Sequence, residues 1–190
     1  MEAGCDEAGR GCIAGPVVAA AVILPADYRN TQIDDSKKLS SKTREIVRHA
    51  VESDAIAFGI GVVDEQEIDR INILNASIQA MHLALDKLRP VPQHLIVDGN
   101  RFKPWKEIPY HCIIQGDSRY ISIAAASILA KTYRDEYMKM LHNQHPEYDW
   151  QHNKGYPTRK HREAILNFGP TAHHRRSFRL LDEQMSLDFS

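Results

Sequence analysis

Three short apolar runs in this chain each stop on acid. Residues 2–9, "EAGCDEAG", carry Asp6 and Glu7 near their end; "HLIVDGN" at 94–100 carries Asp98; and "YHCIIQGD" at 110–117 ends on Asp117. Short runs rich in Val, Ile and Ala and bounded by Gly or Pro read as buried strands. Two more belong with them: residues 13–24, joined to the first run by the Gly9-Arg10-Gly11 turn in hairpin order, and "AIAFGIGVV" at 55–63. Helical stretches fall between and after these runs. One follows a Ser40 or Ser41 cap and turns Ile46, Val47, Ala50 and Val51 inward, another begins near Asp64, and a third is capped by Asn75 and carries Ile78, Met81, Leu85 and Leu88. A long helix runs from about Arg119 to His142, with Ala124, Ala125 and Ala126 small enough to press on a sheet, and a last one spans Thr158 to Asn167. Three leading strands followed by alternating helices and strands make an α/β chain, a mixed sheet flanked by helices.

Strand ends in such sheets open onto a shared crevice, where ligands bind. Carboxylates gathered there repel one another and need a cation to be tolerable near neutral pH. Oxygen donors without His or Cys select Mg²⁺ or Mn²⁺ over zinc. Four carboxylates can hold two such ions about 3.5 to 4 Å apart, the arrangement that activates a water and stabilises the departing oxygen in phosphodiester cleavage.

Composition narrows the partners. With 43% hydrophobic and 26% charged residues over 190, the chain is of ordinary globular type and fits one compact domain or one with a small appendage. The apolar stretch from Ile13 to Leu24 is too short to span a bilayer, and Asp6 and Glu7 precede it where a secretory leader carries basic residues, so a cytoplasmic protein is expected. Cys5, Cys12 and Cys112 have no C-x-x-C spacing and read as reduced structural thiols. A net charge of −1 hides a basic segment: Lys154, Arg159, Lys160, Arg162, Arg175, Arg176 and Arg179 face only Glu163. The local field captures phosphate, so a polyanionic partner stays open beside a solvated basic face.

The blocks "DEAGRG" at 6–11, "DSKKLS" at 35–40, "NIL" at 72–74, "VDGN" at 97–100, "GDSRYISIAAASILAK" at 116–131, "HNKGYPT" at 152–158 and "HHRRSF" at 173–178 together resemble the ordered motif series of bacterial type 2 ribonuclease H, ribonuclease HII. The resemblance implies a ribonuclease H-like fold: a five-stranded mixed sheet flanked by helices, with a small helical C-terminal region. It divides the chain into a catalytic core at 1–145, a helical substrate-binding region at 146–181 and a flexible tail at 182–190. It also implies an endonuclease that cuts the RNA strand of RNA/DNA hybrids and incises 5′ of single ribonucleotides in duplex DNA, leaving 3′-hydroxyl and 5′-phosphate ends.

Carried over by position, Asp6, Glu7, Asp98 and Asp117 match the catalytic, metal-binding carboxylates of a site for two Mn²⁺ or Mg²⁺ ions. Asp135 is a rival for the fourth place. At ~1.5 Å rise per residue it lies roughly 25 Å along its helix and takes a structural role. Gly9, Arg10 and Gly11 match the ribose-reading turn, where glycine lets backbone groups approach the 2′-hydroxyl in the minor groove. Tyr156 matches the tyrosine that packs on the sugar at the RNA-to-DNA junction, and Lys37, Lys154, Arg175 and Arg176 are candidate phosphate contacts. A non-catalytic nucleic-acid-binding adaptor on the same fold is the alternative; it would keep the basic patch without needing all four carboxylates. "QMSLDF" at 184–189 is similar to the Q-x-x-L-x-F peptides that dock on the sliding clamp, with Gln184, Leu187 and Phe189 as anchors. No membrane partner is expected, and the protein is expected to be a monomer.

Overall fold

The computed structural model describes residues 1–30, 32–33 and 39–181. Five strands form one mixed sheet: β1 (Glu2–Ala8), β2 (Val17–Ile23), β3 (Ala57–Val63), β4 (His94–Asp98) and β5 (Tyr110–Ile113), in the order β3-β2-β1-β4-β5. β1 is antiparallel to β2 and parallel to β4, β2 is antiparallel to β3, and β4 is parallel to β5. The strand carrying Asp6 and Glu7 is therefore the middle of the sheet.

All seven residues of β2 are buried, because alternate side chains serve two cores. Val17, Ala19, Ala21 and Ile23 face α2 (Glu65–Ile71) and α3 (Ile73–Leu85), through Ile68, Ala80, Met81 and Ala84. Ala20 and Val22 face α1 (Ser41–Asp54) and α4 (Ile121–Gln144), through Val47, Val51 and Ala124 to Ala126. The first turn of α4 lies directly on β1: a β-carbon at Gly4 would fall 2.3 Å from the Ser122 carbonyl carbon. Glycine at that position sets how close the helix can come to the strand bearing the acids.

A third core joins the end of α4 to the C-terminal residues. Ile13, Ala14, Met138 and Leu141 pack with Tyr148, Trp150, Ala164 and Ile165, the last two on α6 (Arg159–Phe168); Trp150 opens the short α5 (Trp150–Asn153). No helix among the described residues is long and apolar enough to cross a membrane.

Three local expectations change. The second strand starts at Val17 rather than near residue 13, because Gly15 (φ +82°) and Pro16 break it and Ala14 pairs instead with His174. Asn72, not Asn75, caps α3, its side chain accepting from the Asn75 N–H at 3.1 Å. Ile46 is 55% exposed on α1, whose inward face is carried by Val47 and Val51.

Candidate active site

Cys5–Val97 is the last register pair of β1 with β4, so Asp6 and Asp98 follow side by side at the carboxyl ends of two parallel strands. Asp6 Oδ1 accepts the Glu7 N–H at 2.7 Å, and Ser127 of α4 is close enough to the same carboxyl to favour its charged form. Asp98 Oδ1 accepts the Gly116 N–H at 2.7 Å, which ties the 3-10 turn Gly116–Ser118, and with it Asp117, to β4. Arg10 Nη1 pairs with Glu7 Oε1 at 3.0 Å, while Glu7 Oε2 is buried with no hydrogen-bond partner among the described residues. Asp6 is 7% exposed; burial first, then the charges of Glu7 and Asp98, push its carboxyl well above the ordinary range. Burial also raises Glu7, against the pull of Arg10, and Asp98 adds to the rise.

Asp6, Glu7 and Asp98 are thus brought together. Asp117 is buried beside them through Gly116, yet it lines a separate hollow of about 300 Å³ with Tyr28, Arg29, Ser118 and Arg119. Among the described residues, no three carboxylate, imidazole or thiol groups converge closely enough to hold an ion as they stand. The donors nonetheless fit a hard divalent cation. They are all oxygen, their mutual repulsion is what such an ion offsets, and Glu7 Oε2 is a buried acceptor without a donor.

The Gly-Arg-Gly turn is fastened from beneath by two buried arginines. Gly9 sits at φ +96°, and a β-carbon there would fall 2.1 Å from Arg134 Nε, so both conformation and space demand glycine. Arg134 of α4 donates Nε to the Pro16 carbonyl at 2.9 Å, Nη1 to Lys154 at 2.8 Å and Nη2 to Ala14 at 3.1 Å. Arg175 donates Nε and Nη2 to the Gly15 carbonyl at 2.9 and 2.8 Å, and Nη1 to Arg10 at 3.1 Å. Arg175 is 0% exposed, which corrects its expected phosphate contact: its guanidinium is engaged by backbone carbonyls inside the protein.

Above the turn, Glu7, Gly9, Arg10, Gly11 and Tyr156 line one cleft of about 430 Å³. Tyr156 is 44% exposed, and a β-carbon at Gly11 would lie 3.9 Å from its ring; burial foremost, then the neighbouring Cys12 thiol, raises its hydroxyl's pKa. Lys154 is half-buried and donates Nζ to the Gln151 carbonyl at 2.5 Å. Arg176 is exposed, its N–H on Asp69 Oδ2 at 2.8 Å. Lys37, Gln184, Leu187 and Phe189 lie outside the described residues.

Arg44, Ser127 and Lys131 complete the cleft and were not expected there. The pattern that could have found the α4 pair lies within the "SILAKTYR" stretch: Ser127, Lys131 and Arg134 stand at i, i+4 and i+7, one polar stripe that begins in the apolar, Ala-rich first half of the helix over buried strands. Asp135 pairs with Lys131 at 2.5 Å and Arg44 at 3.7 Å, on the flank of this cleft.

Comparison with known proteins gives a consistent answer. Residues 3–181 match the family model described as Ribonuclease HII. The Ribonuclease HII of Bacteroides fragilis is 60% identical over 188 residues, 98% of this chain and 94% of that protein. Among solved structures, the ribonuclease H2 of Pyrococcus horikoshii OT3 superposes with a TM-score of 0.79 at 26% identity, covering 94% of each chain. The ribonuclease HII of Archaeoglobus fulgidus, solved as a complex with PCNA, does so with a TM-score of 0.77 at 25% identity, covering 93% of this chain and 92% of that one.

Proposed function

From the premise that this chain belongs to the ribonuclease HII family, and so is a ribonuclease H and a hydrolase, we propose that it cuts the RNA strand of RNA/DNA hybrids and incises 5′ of single ribonucleotides in duplex DNA. The observation that carries this reading is the shared cleft of Glu7, the Gly-Arg-Gly turn and Tyr156, which puts an acid next to a glycine turn and an aromatic ring. The backbone of Gly9 and Gly11 meets the 2′-hydroxyl, and the Tyr156 ring packs on the neighbouring sugar. Lys154, Arg176, Lys131 and Arg44, with Lys37, hold phosphates and orient the duplex without reading its sequence. Asp6, Glu7, Asp98 and Asp117 would hold Mg²⁺ or Mn²⁺, a pair of which, when bound, supplies activation of a water and stabilisation of the departing 3′-oxygen. Residues 1–145 form the catalytic core and 146–181 the substrate-binding region of a cytoplasmic monomer.

The test is a labelled DNA duplex with one ribonucleotide beside an all-DNA control, with Mg²⁺, Mn²⁺ or EDTA. The expected result is a metal-dependent cut 5′ of the ribonucleotide, absent from the control. Binding without cleavage by the folded protein would overturn the reading in favour of the adaptor.

The tail gives a second, separable proposal. The Archaeoglobus enzyme has been solved with a sliding clamp, and "QMSLDF" carries a glutamine and two apolar anchors on the last residues of this chain. We assign it to clamp docking by a peptide-in-groove mode. Leu187→Ala with Phe189→Ala removes both anchors and is expected to weaken binding to the bacterial clamp by about a hundredfold or more, read by surface plasmon resonance. Unchanged binding, or none in the unmodified chain, would refute it.

A further inference from the structure

His161 and His174 are buried (0% and 1% exposed) beneath the cleft rather than in it, and apart from the Thr171 hydroxyl, 3.1 Å from His174 Nδ1, the groups bonded to the pair have a fixed hydrogen-bonding sense. The Thr171 N–H donates to His174 Nδ1 at 3.0 Å. His174 Nε2 lies 3.2 Å from His161 Nε2, which also accepts the Trp150 Nε1–H at 2.9 Å. His161 Nδ1 lies 2.8 Å from the Tyr156 carbonyl. A backbone N–H and an indole N–H can only donate, and a carbonyl can only accept. His174 must therefore carry its proton on Nε2, and His161 must carry its own on Nδ1. A second proton on either ring would face another N–H, so both are neutral.

Resting on the reading that Tyr156 meets the substrate sugar, we propose that His161 and His174 are positioning residues: a neutral imidazole relay, running from Thr171 to the Tyr156 carbonyl, that holds the tyrosine over the Gly-Arg-Gly turn. The same segment closes the other side of the turn. His174 pairs with Ala14, the Arg175 N–H donates to the Ile13 carbonyl at 2.9 Å, and both Ile13 and Ala14 donate to Gly155 next to the tyrosine. One set of buried contacts thus fixes Tyr156 and the reading turn relative to each other.

The surroundings favour neutrality. Charged or titratable neighbours are His145 at the end of α4, Arg162 on α6, and His173 and Arg176 on the C-terminal segment; all four disfavour a further positive charge on one or other ring. The nearby acids lie against other rings, Glu147 3.5 Å from His145 and Glu65 3.7 Å from His173. Burial foremost, then the neighbouring basic groups, brings His174 down to about 3 and lowers His161.

A double-mutant cycle on single-ribonucleotide duplex, with metal present, tests the relay. His161→Phe and Tyr156→Ala are each expected to lower kcat/KM by roughly ten- to a hundredfold, and together by no more than the larger single effect, while His161→Asn, which keeps a donor near Nδ1, recovers part of the loss. If Tyr156→Ala cuts normally, the reading of the tyrosine fails. If Tyr156→Ala is impaired but His161→Phe is not, or if the two losses multiply, the relay alone is overturned. Should His161→Phe not fold, ¹⁵N NMR of the unmodified protein decides: at pH 5.5 one neutral histidine protonated on Nδ1 and one on Nε2 are expected, and titration of both rings near 6.5 would overturn the relay.

Discussion

Asp6→Asn is expected to lower hybrid cleavage by roughly 10³-fold or more, with duplex binding largely retained, and at the same time to raise the stability of the fold. Both effects come from one fact. Asp6 is buried beside Glu7 and Asp98, and its carboxyl is raised by burial and by their charges, so its ionised form is held at a cost to the native state. Asparagine keeps the acceptor for the Glu7 N–H and removes a charge. The sign follows: a carboxyl whose folded-state affinity for protons exceeds its unfolded one destabilises the fold once pH rises above the unfolded value, so the gain should be present at pH 7 and vanish in acid. A gain of about 1–3 kcal/mol, the scale of a buried uncompensated charge after relaxation, moves the thermal midpoint up by about 2–12 °C. Asp98→Asn should lose cleavage in the same way. Full activity in either variant, read by gel assay with Mg²⁺ or Mn²⁺, would refute the assignment; lost activity without a stability gain would mean that repulsion is already relieved in the resting protein.

The second large effect lies beneath the turn. Arg175→Ala strips the buried carbonyl of Gly15 and the partly buried carbonyl of Arg10 of their donors. Each buried acceptor left unpaired costs about 1–3 kcal/mol, so a loss of about 3–5 kcal/mol and a fall in the thermal midpoint of about 6–20 °C are expected. Arg175→Lys should recover little, because one ammonium cannot reproduce a planar fork reaching two carbonyls. A phosphate contact gives the opposite pattern: unchanged melting, weaker binding, a shallower salt dependence and substantial rescue by lysine. Calorimetry and a salt titration of duplex binding on the two variants separate them.

That pair of outcomes marks what the chain discloses before it folds. Asp6, Glu7 and Asp98 are legible because an acid at the end of an apolar strand has one explanation in water and another at a sheet crevice, and the strand pattern locates the crevice. The sheet is legible for the same reason: β2 and β4 are too short and too apolar to be anything but interior strands. Arg175 is not legible. An arginine in a basic run reads the same whether it meets phosphate or backbone carbonyls inside the fold, and only the pairing of residues 13–15 with 173–175, set by tertiary contact, tells them apart. Ser127 and Lys131 fall between, visible as a polar stripe on a small-residue helix whose partner across the cleft no local pattern supplies. The Asn72 cap was open to a closer reading, since an asparagine three residues before another amide N–H caps as well as the one after it.

The link between Arg175 and Arg10 spans 165 residues of chain. During synthesis the carboxylates of β1 emerge first, yet the turn beside them gains its second supporting arginine only once a residue 165 positions further on has left the ribosome. Contacts of such separation form late. A nascent or truncated chain thus carries the acids beside a half-supported turn, and the two sides of the cleft mature at different times.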